Sequence, residues 1–90
     1  MPTKIVAGEW KGKPVEAINT WFNGATLKFD GKIVATNHDY FALRVAAPLM
    51  QAEVEVDGES ALIEVYARAL LTVQLELKLN GEHLAGDHLT

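Results

Sequence analysis

Hydrophobic and polar residues alternate most regularly between Leu71 and Leu79, in the segment LTVQLELKL. Leucine and valine occupy one parity of this segment, while threonine, glutamine, glutamate and lysine occupy the other. A period of two residues is typical of a β-strand with one face toward a core and the other toward water. The pattern therefore predicts a central strand whose core face is formed by Leu71, Val73, Leu75, Leu77 and Leu79.

Asn80-Gly81 follows this strand directly, and both residues tolerate the positive φ that a two-residue type I′ hairpin turn requires. Asp30-Gly31 stands at the same place in the related stretch LKFDGKIVATN, and Asp57-Gly58 lies between the two. We interpret the repeat as repeated turn chemistry rather than as a site used twice. Because such a turn fixes the register of its strands, it predicts cross-strand pairs. The main predicted pairs are Leu27 with Val34, Lys28 with Ile33, Met50 with Val65, Leu77 with Leu84, and Lys78 with His83.

Two segments are compatible with either a strand or a helix. Residues 60–71, SALIEVYARALL, alternate as the partner strand of the Asp57-Gly58 turn, but their apolar residues also recur at helical spacing. Residues 14–23 fit a helix that begins at Pro14, or a strand that enters a turn at Asn23-Gly24. We favour strands at both places. The segment at 14–23 then gives the following arm, ATLKF, a hydrogen-bonded neighbour.

A further strand is predicted between Asp39 and Pro48, where larger apolar residues alternate with small ones. The chain then has about seven short strands at the spacing expected of an antiparallel meander. We predict an all-β fold, an antiparallel hairpin meander that forms a small β-sandwich or flattened barrel. One domain covers residues 1–90, in which residues 1–13 are an N-terminal arm that we expect to be loosely ordered.

Composition narrows the class of protein. Ninety residues are enough for one domain and too few for two. With 49% apolar and 22% charged residues the chain belongs to the folded class, and no apolar run approaches the ~20 residues of a membrane span. The start, MPTKIVAGEWKGKP, lacks the apolar stretch of a secretory signal, so we expect a cytoplasmic protein. The lack of cysteine excludes disulfides and thiolate chemistry.

The net charge of −4 is unevenly distributed. Five lysines oppose three acidic residues in residues 1–32, which carry +2, whereas three basic residues oppose nine acidic ones in residues 33–90, which carry −6. A phosphate backbone requires clustered lysine and arginine, and this chain has no such cluster. We therefore expect neither a nucleic acid nor a membrane as a partner.

The order of the motifs resembles the Fas apoptotic inhibitory molecule family. The resemblance extends from about Val15 to Asp87, and residues 60–73 depart from the pattern in length and in their Ala-Leu content. It implies a compact antiparallel β-sandwich without catalytic machinery that acts by binding other proteins. The matching residues are Trp21, Gly24, Phe29-Asp30-Gly31-Lys32, Phe41-Ala42-Leu43, and Leu77 through Leu84.

Candidate metal ligands are few. Imidazole and carboxylate groups suit zinc or iron, and the residues of this kind that hairpins can bring together are His38, His83, Asp87 and His88. Their spacing matches no recognised ligand motif, so ordinary loop and tail residues are the alternative interpretation. Ser60, the only serine, follows a turn rather than a strand-to-helix elbow. We predict no catalytic residue and no cofactor.

Aromatic residues are the candidate binding surface. Neighbouring residues of a strand point to opposite faces, so one member of an aromatic pair can fill the core while the other is exposed. We predict a non-catalytic domain that acts by protein–protein binding or by self-association as a homodimer. A small-ligand-binding β module and a small metalloenzyme that uses His38, His83 and His88 are the alternatives. The binding residues predicted are Trp10, Trp21, Phe22 and Tyr40.

Overall fold

A computed structural model describes residues 3–20, 24–37, 47–69 and 73–89, and it confirms the all-β prediction. These residues form eight strands in two antiparallel four-stranded sheets, each with its strands in chain order. The first sheet contains β1 (Thr3–Trp10), β2 (Lys13–Thr20), β3 (Gly24–Phe29) and β4 (Lys32–Asn37). The second sheet contains β5 (Met50–Val56), β6 (Glu59–Ala69), β7 (Val73–Leu79) and β8 (Glu82–Gly86).

The segments that were compatible with a helix are strands over their described residues. β2 covers most of residues 14–23 and β6 covers residues 59–69, as favoured above. The strand predicted between Asp39 and Pro48 falls almost entirely on residues 38–46, which lie outside the described residues. No helix in the described ranges is both long and apolar enough to cross a membrane.

Two-residue turns connect the strands of four hairpins, β1–β2, β3–β4, β5–β6 and β7–β8. The three predicted turns have positive φ at both central positions, for example 53° at Asp30 and 79° at Gly31, as a type I′ turn requires. A fourth turn of the same kind, Lys11-Gly12, joins β1 to β2, so most of the segment treated above as an arm is a paired strand. Lysine is an unusual residue at φ 53°, which is why its turn was not recognised.

The predicted registers hold next to each turn and fail two residues further on in two hairpins. Met50 pairs with Val65 as predicted, and Lys28 with Ile33 and Lys78 with His83 are also correct. The pairs Leu27 with Val34 and Leu77 with Leu84 are wrong. A register shift in each hairpin leaves one extra residue in the second strand, so that the leucines pair with Ala35 and Ala85. One extra residue in one strand is a β-bulge, and it bends that strand.

The core lies between the two sheets. Leu75 and Leu77 on β7 are fully buried, which confirms the predicted core parity there, while Leu79 is only partly buried. Leu71 lies outside the described residues, and the side chain of Val73 is not described. The buried apolar residues are Val6, Val15, Ala17, Ala25, Leu27, Phe29, Leu49, Met50, Val54, Ala61, Ile63, Val65, Ala67, Leu75 and Leu77.

β1 packs closely against the β7–β8 edge of the second sheet. A Cβ atom on Gly8 would stand 2.8 Å from Cγ of Leu84, and one on Gly86 would collide with the carbonyl oxygen of Leu75 and lie 2.8 Å from a methyl group of Val6. Gly86 also has a φ of 90°, which side-chain-bearing residues rarely adopt. Glycine at this position lets the chain leave β8 in a new direction, and it thereby sets the course of the C-terminal tail.

Candidate functional site

Trp10 is the only predicted binding residue that lies in the described part of the chain. It is half-buried, with its ring centroid 6.2 Å from that of Phe29, and the ammonium group of Lys11 lies 5.6 Å from the Trp10 ring centroid. Lys11 Nζ also lies 2.9 Å from Glu59 Oε2 on the second sheet. Trp10 therefore packs at one end of the core. Trp21, Phe22 and Tyr40 lie outside the described residues.

The outer face of the first sheet is largely uncharged. On this face, Ile5 and Ile33 are 58% and 62% exposed. The pairing of neighbouring strands places two rows of side chains across the face. One row consists of Ile5, Ile18, Thr26 and Thr36. The next row consists of Ala7, Glu16, Lys28 and Ile33. Scattered exposed isoleucines are common on proteins, but two on one sheet face, in rows that contain one acidic and one basic residue, form a surface that a partner can cover.

The outer face of the second sheet is polar and internally bonded. Tyr66 donates its hydroxyl hydrogen to Oε2 of Glu64 over 3.2 Å, and the ammonium group of Lys78 lies 5.4 Å from the Tyr66 ring centroid. Arg68 Nε donates to Gln74 Oε1 over 3.0 Å. Burial raises the pKa of Tyr66, and the neighbouring carboxylates of Glu64 and Glu76 raise it further. These polar side chains on the outer face of the second sheet are thus paired with one another.

Glu76 is the exception to the alternation along β7. Its parity predicts a solvated side chain, yet its exposure is 0%. Oε2 lies 2.7 Å from Nδ1 of His83, and Oε1 accepts a hydrogen bond of 3.0 Å from the backbone N–H of Leu89. The C-terminal tail, residues 87–89, therefore folds back over the outer face of the second sheet and covers this carboxylate.

Two histidines stand beside that carboxylate. The rings of His83 and His88 are stacked, with centroids 3.7 Å apart and planes 15° from parallel. One ligand atom from each histidine and one carboxylate oxygen of Glu76 all lie within 4.8 Å of one another. The cluster of Glu76, His83 and His88, called here the tail cluster, is buried at the carboxylate and exposed at both histidines.

Backbone and side-chain contacts of Asp87 hold the tail in this place. Its N–H donates to the carbonyl oxygen of Leu75 over 2.8 Å, and its Oδ2 accepts from the N–H of Leu75 over 3.0 Å. Oδ2 also lies 3.5 Å from Nζ of Lys4 on β1. Asp87 is therefore an anchor of the tail, and it is not among the residues that converge as possible ligands, contrary to its place in the predicted metal set.

The predicted metal set is thus partly brought together. His83 and His88 converge, and His38 lies outside the described residues. Glu76 was missed because its position in the alternation assigned it to the solvent face. A signal was present nevertheless, since the predicted pair Lys78 with His83 places Glu76 diagonally across from His83 on the same face.

Comparison with protein-family models finds no match to the chain, and comparison with curated proteins and with solved structures finds no significant match. The resemblance to the Fas apoptotic inhibitory molecule family stays a prediction.

Proposed function

We propose that this chain is a non-catalytic cytoplasmic binding domain that acts by self-association, and that two copies meet through the outer faces of their first sheets. The observation that carries the proposal is the exposure of Ile5 and Ile33, at 58% and 62%, on the outer face of the first sheet. In the two rows of side chains described above, Glu16 and Lys28 are the only charged residues. The second sheet offers no comparable surface in the described residues, since its outer face is polar and partly covered by the tail.

A two-fold axis explains why the partner is a second copy. Symmetric dimers use the same patch on both subunits, so the patch must be complementary to itself. An axis parallel to β2 and β3, running between them, stacks Glu16 of one copy over Lys28 of the other. The same axis sets Ile5 over Thr36 and Ile33 over Ala7. Opposite charges then meet at the centre, and large side chains meet small ones toward the edges.

The edge of the second sheet has features that disfavour association with another copy. Glu53 and Glu55 are exposed on β5, which has only β6 as a hydrogen-bonded neighbour among the described residues. Charged residues on an edge strand discourage pairing with another chain. Association through the first sheet therefore gives a closed dimer rather than an open assembly.

Sedimentation velocity from low micromolar to millimolar concentration tests the proposal. We expect the native chain to sediment as a dimer at the upper end, and Ile5→Lys and Ile33→Lys to sediment as monomers, because each places an ammonium group in the apolar part of the interface. Leu62→Lys is the matched control, since Leu62 is 37% exposed on the second sheet. A native chain that stays monomeric throughout, or a control that dissociates the dimer equally, contradicts the proposal.

A further inference from the structure

Three features outside the proposed interface were candidates for a site: the acidic strand β5, the contact of Trp10 with Lys11, and the tail cluster. Among the described residues, only the tail cluster places one ligand atom from a carboxylate and one from each of two imidazoles within 4.8 Å of one another. We propose that Glu76, His83 and His88 bind a divalent transition-metal ion, with zinc as the ion that this donor set fits, and that the ion holds the C-terminal tail against β7 and β8.

The donor set matches the chemistry of zinc. Imidazole nitrogen and carboxylate oxygen bind zinc at about 2.0–2.2 Å, and three protein ligands leave a fourth position for water. Glu76 supplies a negative charge that has been removed from water, which is costly unless a proton donor or a cation lies beside it. An ion of charge two placed there gains more from this carboxylate than from one in water, because the surrounding protein screens the attraction less.

The geometry requires two adjustments, one between Glu76 and His83 and one at His88. Two ligand atoms bound tetrahedrally to one zinc ion stand about 3.3 Å apart, whereas Oε2 of Glu76 and Nδ1 of His83 are 2.7 Å apart. That short distance is a hydrogen bond. A metal ion takes its place when the His83 imidazole carries its proton on Nε2, which leaves Nδ1 as a ligand, and when the two atoms move slightly apart.

The remaining ligand comes from the tail and can move without disturbing the core. His88 is exposed, and it lies between Asp87, which is anchored to Leu75, and Leu89, whose N–H is bonded to Glu76. Anchors on both sides keep the imidazole near the carboxylate, and the exposed ring turns toward an ion by leaving its stack on the ring of His83. The exposed side of the cluster also gives an ion direct access from solvent.

A matched pair of histidine variants tests the site. The chain has three histidines, and His38 occupies the position in the first hairpin sequence, fifty residues earlier, that His88 occupies in the second. Untagged protein, freed of metal by a chelator, is titrated with zinc chloride by calorimetry. We expect one zinc ion per chain, an affinity lowered about tenfold or more by His88→Gln, and no change with His38→Gln.

Two further measurements separate a metal site from a simple tail anchor. Circular dichroism should show that His88→Gln folds as the native chain does, since the replaced side chain is exposed. Heteronuclear NMR of the native chain should show zinc-dependent shifts at the imidazoles of His83 and His88 and at the amide of Leu89. The proposal is overturned if folded native protein binds no zinc, if His88→Gln binds it unchanged, or if His38→Gln is weakened as much as His88→Gln.

Discussion

The hairpins β3–β4 and β7–β8 have the same backbone arrangement, but their outer surfaces differ in character. Each has a turn with positive φ at both central residues, and each has a bulge that pairs a buried leucine with an alanine. Fifty residues separate equivalent positions throughout, from Leu27 and Leu77 to Ala35 and Ala85. The inner faces of the two hairpins are therefore built alike.

Their outer faces differ at three equivalent positions. Where the first hairpin has Thr26, Ile33 and Thr36, the second has Glu76, His83 and Gly86. Gly86 turns the chain so that the tail covers Glu76, whereas the outer face of the first sheet keeps its isoleucine exposed. The turn and the bulge thus define the backbone of each hairpin. A few residues on the outer face decide whether the chain's own tail covers that face or whether it stays exposed to a partner.

The largest expected effect tests the shared inner frame. Leu27 and Leu77 are both fully buried at equivalent positions, so truncation to alanine should destabilise the protein by about 2–5 kcal/mol in each case. Urea unfolding measures both free energies. A large loss at one leucine with almost none at the other would show that the two hairpins do not contribute alike to one core.

An intermediate effect should appear at the position where the hairpins differ most. Glu76→Ala leaves the Leu89 N–H and the His83 ring without their acceptor, which should cost about 1–3 kcal/mol. Thr26→Ala, its counterpart on the exposed face, should change stability by about 0.5 kcal/mol or less. Thermal unfolding of both variants makes the comparison. Equal losses of stability would contradict the conclusion that Glu76 holds the tail over the second sheet.

An effect comparable to that of Glu76→Ala tests the turns. Gly31→Val and Gly81→Val should each cost more than ~1 kcal/mol, because a β-branched residue resists positive φ. No other atoms lie within 4 Å of a Cβ built at either glycine, so the backbone alone is responsible and the two losses should match. Chemical unfolding of the pair would speak against this account if Gly81→Val were neutral while Gly31→Val was not.

Local rules predicted the frame of this fold well. Alternation and the Asp-Gly and Asn-Gly pairs predicted three turns, the strand class and the registers nearest each turn. The Lys11-Gly12 turn escaped because a lysine at positive φ has no sequence signature, and its contacts with Trp10 and Glu59 become visible only in three dimensions. The bulges escaped because pairing Leu77 with Leu84 satisfied the apolar pattern as well as the true register does.

Such rules could not predict the burial of Glu76, and the reason is different. Alternation describes a strand and its two faces, but this carboxylate is covered by residues that follow the last strand. The tail reaches it only because Gly86 stands directly opposite Glu76 and adopts a φ of 90°. A side chain whose burial depends on the path of a later segment cannot be assigned from its own neighbours in sequence.

Mapping the association surface tests the central claim most directly, namely that the first sheet is the open face and the second sheet the closed one. Amide and methyl NMR spectra recorded over a hundredfold range of protein concentration locate the surface residue by residue. We predict concentration-dependent shifts centred on Ile5, Ile18 and Ile33, with the signals of Glu76 and Leu89 unmoved. Shifts centred on the second sheet, or none at any concentration, would contradict the claim.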